Sequence, residues 1–176
     1  LKETETAIKE VDRLFSEIER MNAKPTNVNG LSNEEKIKIL TKQMKQVLTE
    51  YVLKDKDLNQ FKDVKVKGIK IRFQKVYEYP PSLLRNLIDQ GKKDIVSGLI
   101  VSYAIEQNDD GTINKIGVAV GVTKDLTKKF NAIDLVKEAS VITGGKGGGG
   151  RPDFAQAGAT DKNKIEDAFE KIKSLI

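Results

Sequence analysis

The residues of this chain best able to do chemistry lie in one short stretch. Six of the seven residues from Gly144 to Gly150 are glycine, interrupted by Lys146 and followed by Arg151 and Pro152. Each glycine in ordered structure costs about 0.5–1 kcal/mol relative to alanine. A chain tolerates that where the backbone needs φ > 0 or where something must approach its N–H groups closely. With the charges of Lys146 and Arg151, the amides of Gly145, Gly147, Gly148 and Gly149 could cradle a phosphate. The same glycines also suit a flexible linker or a packing turn between a helix and a sheet. No register fits Gly-x-x-x-x-Gly-Lys-Ser/Thr, so this is not a Walker loop. Arg151 has two readings as well: a planar fork stacked on a base or gripping phosphate, and an ion pair with Asp153 that holds the loop.

Two other groups of cations come into question. Lys124, Lys128 and Lys129 fall in a polar segment after an apolar strand, where side chains project, and are candidates for contact with a polyanion. Lys65, Lys67, Lys70, Arg72 and Lys75 alternate with apolar residues on a strand. Lysine on an exposed strand commonly protects it from edge-to-edge association, and that reading is preferred for them.

Missing residue types exclude much. The chain has no cysteine and no histidine. A disulfide, a Cys/His zinc site, a Ser-His-Asp triad and a Cys-His pair are therefore impossible. Carboxylates such as Asp109 and Asp110 are most simply turn formers. No catalytic or metal-binding residue is assigned. No apolar run reaches the ~20 residues of a membrane span, and no signal peptide is evident.

The elements that must position these groups fall into two parts. In residues 3–21, Ile8, Val11, Phe15 and Ile18 recur at heptad spacing. Pro25, Asn27 and Gly30 break the pattern. A second helix begins at Ser32, where Ser32 and Glu35 fit a capping box, and carries Ile37, Leu40, Met44, Val47 and Tyr51. These read as an antiparallel helical hairpin over residues 1–60 that needs a partner surface. From Lys62 the period falls to two. Residues 64–77 read as one strand with a bulge at Gly68. A short helix opens at Pro80-Pro81-Ser82 and ends at Gly91. A buried strand from Asp94 to Glu106 turns at Asp110-Gly111 into a returning strand from Ile113 to Val122. Helices follow at 131–142 and 161–175. The expected fold is α+β over 61–176: a small mixed β-sheet packed with helices, preceded by the hairpin.

Charge follows the same division. Residues 1–60 carry 11 basic and 11 acidic side chains, and residues 61–176 carry 20 and 15, which accounts for the net +5. That excess suggests a polyanion partner for the second part. Lysine supplies most of it.

The segment Gly144 to Gly158, with Arg151-Pro152-Asp153-Phe154 leading into Ala155-Gln156-Ala157-Gly158, resembles the C-terminal signature of alanyl-tRNA synthetases. Gly117-Val118-Ala119-Val120-Gly121-Val122-Thr123-Lys124-Asp125-Leu126 and the helical arm are similar to that family too. The globular part also resembles the domain associated with DHH phosphoesterases. The resemblance implies a fragment of a cytoplasmic class II ligase that joins alanine to tRNA. It implies a tRNA-binding C-terminal domain that docks the tRNA elbow, and an arm able to self-associate. ATP, magnesium and zinc would serve other domains of the parent, including an editing domain, and this part would need no cofactor. Opening on Leu1 rather than Met fits an excised piece. Independent phosphoesterase activity is disfavoured: relatives with that activity often carry a histidine in the Gly-rich loop, where this chain has Lys146, and the metal-holding DHH half is absent.

Overall fold

The computed structural model describes residues 2–176. They form two compact units that divide between Lys54 and Asp55. Residue 60, the boundary expected from the change of period, falls inside the first strand of the second unit.

The first unit is a pair of packed helices, α1 (Lys2–Arg20) and α2 (Asn33–Lys54). Asn22 ends α1 at φ 61°. Its N–H bonds Glu19 O at 2.9 Å and the Ala23 N–H bonds Ile18 O at 3.2 Å, the paired closure of a Schellman motif. The capping box at α2 forms as expected: Ser32 N donates to Glu35 Oε2 at 3.1 Å and Glu35 N to Ser32 Oγ at 3.2 Å. Between the helices, Gln43 pins the connection by accepting from Thr26 N at 2.8 Å and donating to Lys24 O at 2.8 Å. Val11, Leu14, Ile18, Val28 and Leu40 make the core. Leu14 is fully buried whereas Phe15 is only half-buried and Ile8 is exposed. The expected stripe of Ile8, Val11, Phe15 and Ile18 is thus adjusted: Leu14 joins Val11 and Ile18 at the centre, Phe15 packs against them from the edge, and Ile8 is left exposed.

The second unit is a six-stranded sheet in the order β1-β2-β3-β4-β6-β5. Its strands are β1 (Asn59–Val66), β2 (Ile69–Tyr77), β3 (Leu99–Gln107), β4 (Ile113–Val122), β5 (Gly148–Arg151) and β6 (Phe154–Ala159). Only β2 and β3 run parallel, joined through α3 (Leu84–Ile95); the other pairs are antiparallel. Helices α4 (Ala132–Ile142) and α5 (Ile165–Ser174) pack with Phe73, Val101, Tyr103, Val118 and Val120 on one face. The alternate residues, among them Ile100, Gly117 and Gly121, meet α3 and the 3-10 turn before it. This is the mixed α+β architecture expected, with helices on both faces.

Three boundaries differ from expectation. The single strand of residues 64–77 is a hairpin, because Lys67 (φ 51°) and Gly68 (φ 82°) both take the left-handed conformation of a tight two-residue turn. Gly91 does not end α3. It lies within the helix, where a Cβ would stand 3.0 Å from Ile100 Cγ1, so its bareness lets α3 seat on β3. Asp94 and Ile95 therefore belong to α3, and the strand starts at Leu99.

Candidate nucleic-acid interface

The glycine-rich stretch, read from sequence as one loop, is three structures in series. Gly144 (φ 82°) closes α4: its N–H bonds Val141 O, and the Gly145 N–H bonds Ser140 O at 2.7 Å. Gly147 N donates to Ser140 Oγ at 3.3 Å, and that hydroxyl donates to Gly158 O at 2.6 Å. Gly148 to Arg151 then form β5, an edge strand paired only with β6. Packing accounts for much of the glycine. A Cβ on Gly145 would run into the Gly158 carbonyl and Ser140 Oγ, and one on Gly148 into Gln156 O and Ala157, whereas Gly149 faces open space. The amides of Gly144, Gly145 and Gly147 are spent on the helix cap. They also sit at the C-terminal, negative end of α4, which disfavours an anion. Lys146 is exposed beside them.

Strand β5 carries the chain to the opposite end of the sheet, where Arg151 lies. Arg151 Nε is 3.5 Å from Asp153 Oδ1, with the arginine side chain 62% exposed. The Pro152-Asp153 turn is anchored from three sides. Val122 N donates to Asp153 O at 2.9 Å and Ala132 N to Pro152 O at 2.9 Å. Lys92 Nζ donates to Asp153 O at 2.9 Å. Burial lowers the Lys92 pKa below the usual lysine value, against the opposing pull of Asp153 and Asp89.

Lys124, Lys128 and Lys129 lie at this same end, because their segment leaves β4 at Val122. All three are exposed, and none has an ion pair among the described residues. Thr123 anchors their loop, exchanging hydrogen bonds with Gly98 at 3.0 and 3.1 Å. Asp125, itself exposed, accepts from Ser97 Oγ and from Thr123 Oγ1, and these bonds hold its carboxyl below the usual carboxylate range.

The expected site residues are thereby sorted. Lys124, Lys128, Lys129 and Arg151 come together at one end of the sheet. Gly145, Lys146 and Gly147 lie at the other, beside an open groove lined by Pro81, Glu106, Lys115, Gly117 and Gln156. Gly148 and Gly149 bridge the two along the edge. The strand cations divide too. Arg72 is consumed internally by Asp63 at 2.8 Å and Asp94 at 2.9 Å, over the Phe61 ring, and Lys75 pairs with Glu166 at 3.0 Å. Lys65 and Lys70 are cross-strand partners on β1 and β2. Sequence reasoning missed Lys92, and also Arg85, whose guanidinium lies 4.5 Å over the Phe154 ring. No periodicity marks either; both matter because α3 crosses to the β5–β6 hairpin. Among the described residues no Asp and Glu cluster could hold a metal ion, and no helix is long and apolar enough to cross a membrane.

A family model for the DHHA1 domain matches residues 68–176. The chain belongs to the DHHA1 domain family. Within this chain the DHHA1 match takes in everything from the β1–β2 turn to the C-terminal residue, hence both ends of the sheet. The chain is similar to the alanine–tRNA ligase of Parvibaculum lavamentivorans, 44% identical over 109 residues, covering 62% of this chain and 12% of that protein. It is 50% identical over 93 residues to that of Hyphomonas neptunium, covering 53% and 10%. It therefore spans only a small part of these relatives. Among solved structures, the C-Ala domain from Aquifex aeolicus alanyl-tRNA synthetase matches with a TM-score of 0.54 and 29% identity, covering 65% of this chain and 96% of that one. This DHHA1 chain thus corresponds to the C-terminal region of the alanine–tRNA ligases.

Proposed function

We propose that this chain is the tRNA-binding C-terminal part of an alanine–tRNA ligase and that it docks the elbow of an alanine-specific tRNA. In this reading it supports aminoacylation, and editing of mischarged tRNA, by other domains of the parent. ATP, magnesium and zinc belong to those domains. The observation that carries the reading is the gathering of Lys124, Lys128, Lys129 and Arg151 at one end of a DHHA1 fold. Unpaired lysines are point charges suited to phosphate, and an accessible guanidinium adds a planar group able to stack. Binding of the chain to an alanine tRNA transcript and to an elbow-disrupted transcript, at two salt concentrations, tests it. The intact tRNA should bind more tightly, with a strong salt dependence. Equal affinity for both would remove the elbow from the reading.

A second role is favoured by a separate observation. The hairpin exposes Ile8, Ile39 and Tyr51 at 48%, 36% and 41%. Self-association through these residues fits that exposure, and sedimentation over a range of concentrations decides it.

A further inference from the structure

The basic end of the sheet has an apolar tip that the function above does not use. Val96 follows the last residue of α3 and has φ 68° and ψ −54°. Its neighbours close around it: Ser97 N donates to Ile95 O at 2.8 Å, and Val96 N to Lys92 O at 3.0 Å. A three-residue turn of this hand is rare and strained, and a β-branched residue is the worst kind to place in it. The Val96 side chain does not enter the core to compensate; it is 78% exposed, the most of any large apolar residue described as exposed. Surrounding structure enforces the strain. Gly98 is clamped to Thr123, and Ser97 to Asp125. Strain held in place by its surroundings, with the side chain presented to solvent, points to a contact made outside the chain.

The neighbourhood says what kind of contact. The β1–β2 turn, the α3–β3 turn, the loop after β4 and the β5–β6 turn all lie at this end, which puts Lys67, Lys93, Lys124, Lys128, Lys129 and Arg151 at the same end of the sheet as Val96. Of the acids at this end, Asp94 pairs with Arg72, Asp153 with Arg151, and Asp125 accepts from Ser97 and Thr123; Asp134, exposed in the first turn of α4, has no ion pair among the described residues and is outnumbered by the cations. The far end of the sheet carries Glu78, Glu106, Asp109, Asp110 and Asp161 against Lys115, Lys146 and Lys162. The sheet is therefore electrically polar along its strands. A ligand that is anionic over a broad area yet offers a flat apolar surface at its centre matches the basic end. Structured RNA with an unstacked or terminal base pair flanked by phosphates is such a ligand.

We infer that Val96 is the central apolar contact of the RNA surface, packing on an exposed base while the surrounding lysines hold phosphates. The glycine-rich cap at the far end then stays outside the contact. This inference rests on the RNA-binding reading above.

The test uses the whole chain and a fluorescein-labelled alanine tRNA transcript, with melting temperature measured in parallel. Val96→Gly should weaken binding about tenfold, from loss of one buried valine contact. It should also raise the melting temperature, because relief of strain outweighs the extra freedom of glycine in the unfolded chain. Val96→Asn, which removes the apolar volume and keeps a side chain, should weaken binding similarly. Lys146→Glu at the far end should change affinity less than about twofold, as befits a charge well over a Debye length away. Unchanged affinity in both Val96 variants overturns this inference and leaves RNA binding standing. A larger loss from Lys146→Glu than from Val96→Gly overturns it likewise. Failure of the unsubstituted chain to bind tRNA, with heparin or an acidic protein bound instead, overturns both readings.

Discussion

Lys92, on α3, and Asp153, in the β5–β6 turn, are joined by a 2.9 Å hydrogen bond from the ammonium to the backbone carbonyl. Sixty-one residues separate them, and the bond ties the turn that follows Arg151 to α3. Lys92→Met keeps most of the packing of the stem and loses the bond. We expect a loss of about 1 kcal/mol in urea unfolding, since one net hydrogen bond is at stake on a partly exposed group. tRNA binding should weaken as well. A variant with full stability and full affinity would show that Val122 N and Ala132 N hold the turn unaided.

The glycines should respond unequally to a methyl group. Gly149→Ala meets open space and should change stability by under about 0.5 kcal/mol. Gly145→Ala and Gly148→Ala drive a Cβ into backbone carbonyls and should cost about 1–3 kcal/mol or more. Thermal unfolding of the three variants distinguishes these positions. Equal tolerance would mean that the cap and β5 are mobile enough to yield.

The Lys124/Lys128/Lys129→Ala triple variant should lose tRNA affinity and flatten the dependence of log K on log salt. Each lost phosphate contact removes about 0.7–0.9 from the slope. Arg151→Ala should weaken binding by about 1–3 kcal/mol if the guanidinium stacks, with little change in melting temperature because its partner Asp153 is itself partly exposed. Titration by fluorescence anisotropy at several salt concentrations measures both. An unchanged slope in the triple variant would assign those lysines to solvation alone.

Alkaline stability should report on Tyr103. Its hydroxyl is buried, donates to Ala139 O at 3.0 Å and meets Thr143 Oγ1 at 3.2 Å. Burial raises its pKa from 10.0 to about 12. Between those values the unfolded chain has lost the proton that the folded chain keeps, so stability falls as pH rises from about 10 to 12. The total loss from this group is about 2–3 kcal/mol. Tyr103→Phe should flatten that decline, at a cost of about 1 kcal/mol at neutral pH. Absorbance at the phenolate band during alkaline titration should show a late-ionising component that the Tyr103→Phe variant lacks.

A chain starting at Asp55 should fold without the hairpin, because the division into units falls there. It should keep most of its tRNA affinity, since every cation proposed to touch RNA lies beyond residue 60. Circular dichroism and tRNA binding of that chain would check this, and complete loss of structure would mean that the hairpin completes the fold.

Composition and local pattern alone determined a good deal here. With no cysteine or histidine, a Cys/His zinc site and a histidine-based triad were excluded. The capping box at Ser32 and Glu35, the hairpin turn at Asp110-Gly111, and the amphipathic helices α4 and α5 were legible because their signals are local and stereochemical. So was the kinship carried by Arg151 to Gly158. The tertiary structure decided the rest. Leu14 sits at the centre of the hairpin core and Phe15 at its edge because a helix offers adjacent stripes and only the partner sets which lies deepest. Gly91 reads as a helix stop until Ile100 comes close enough to require it inside α3. The glycine-rich stretch reads as one loop until β6 pairs with its second half and α4 caps on its first. Strand pairing is made by backbone hydrogen bonds between distant segments, and side-chain alternation is the same whichever neighbour a strand takes. For that reason no local pattern could reveal that Arg151 stands with Lys124 while Lys146, five residues earlier, lies at the other end of the sheet.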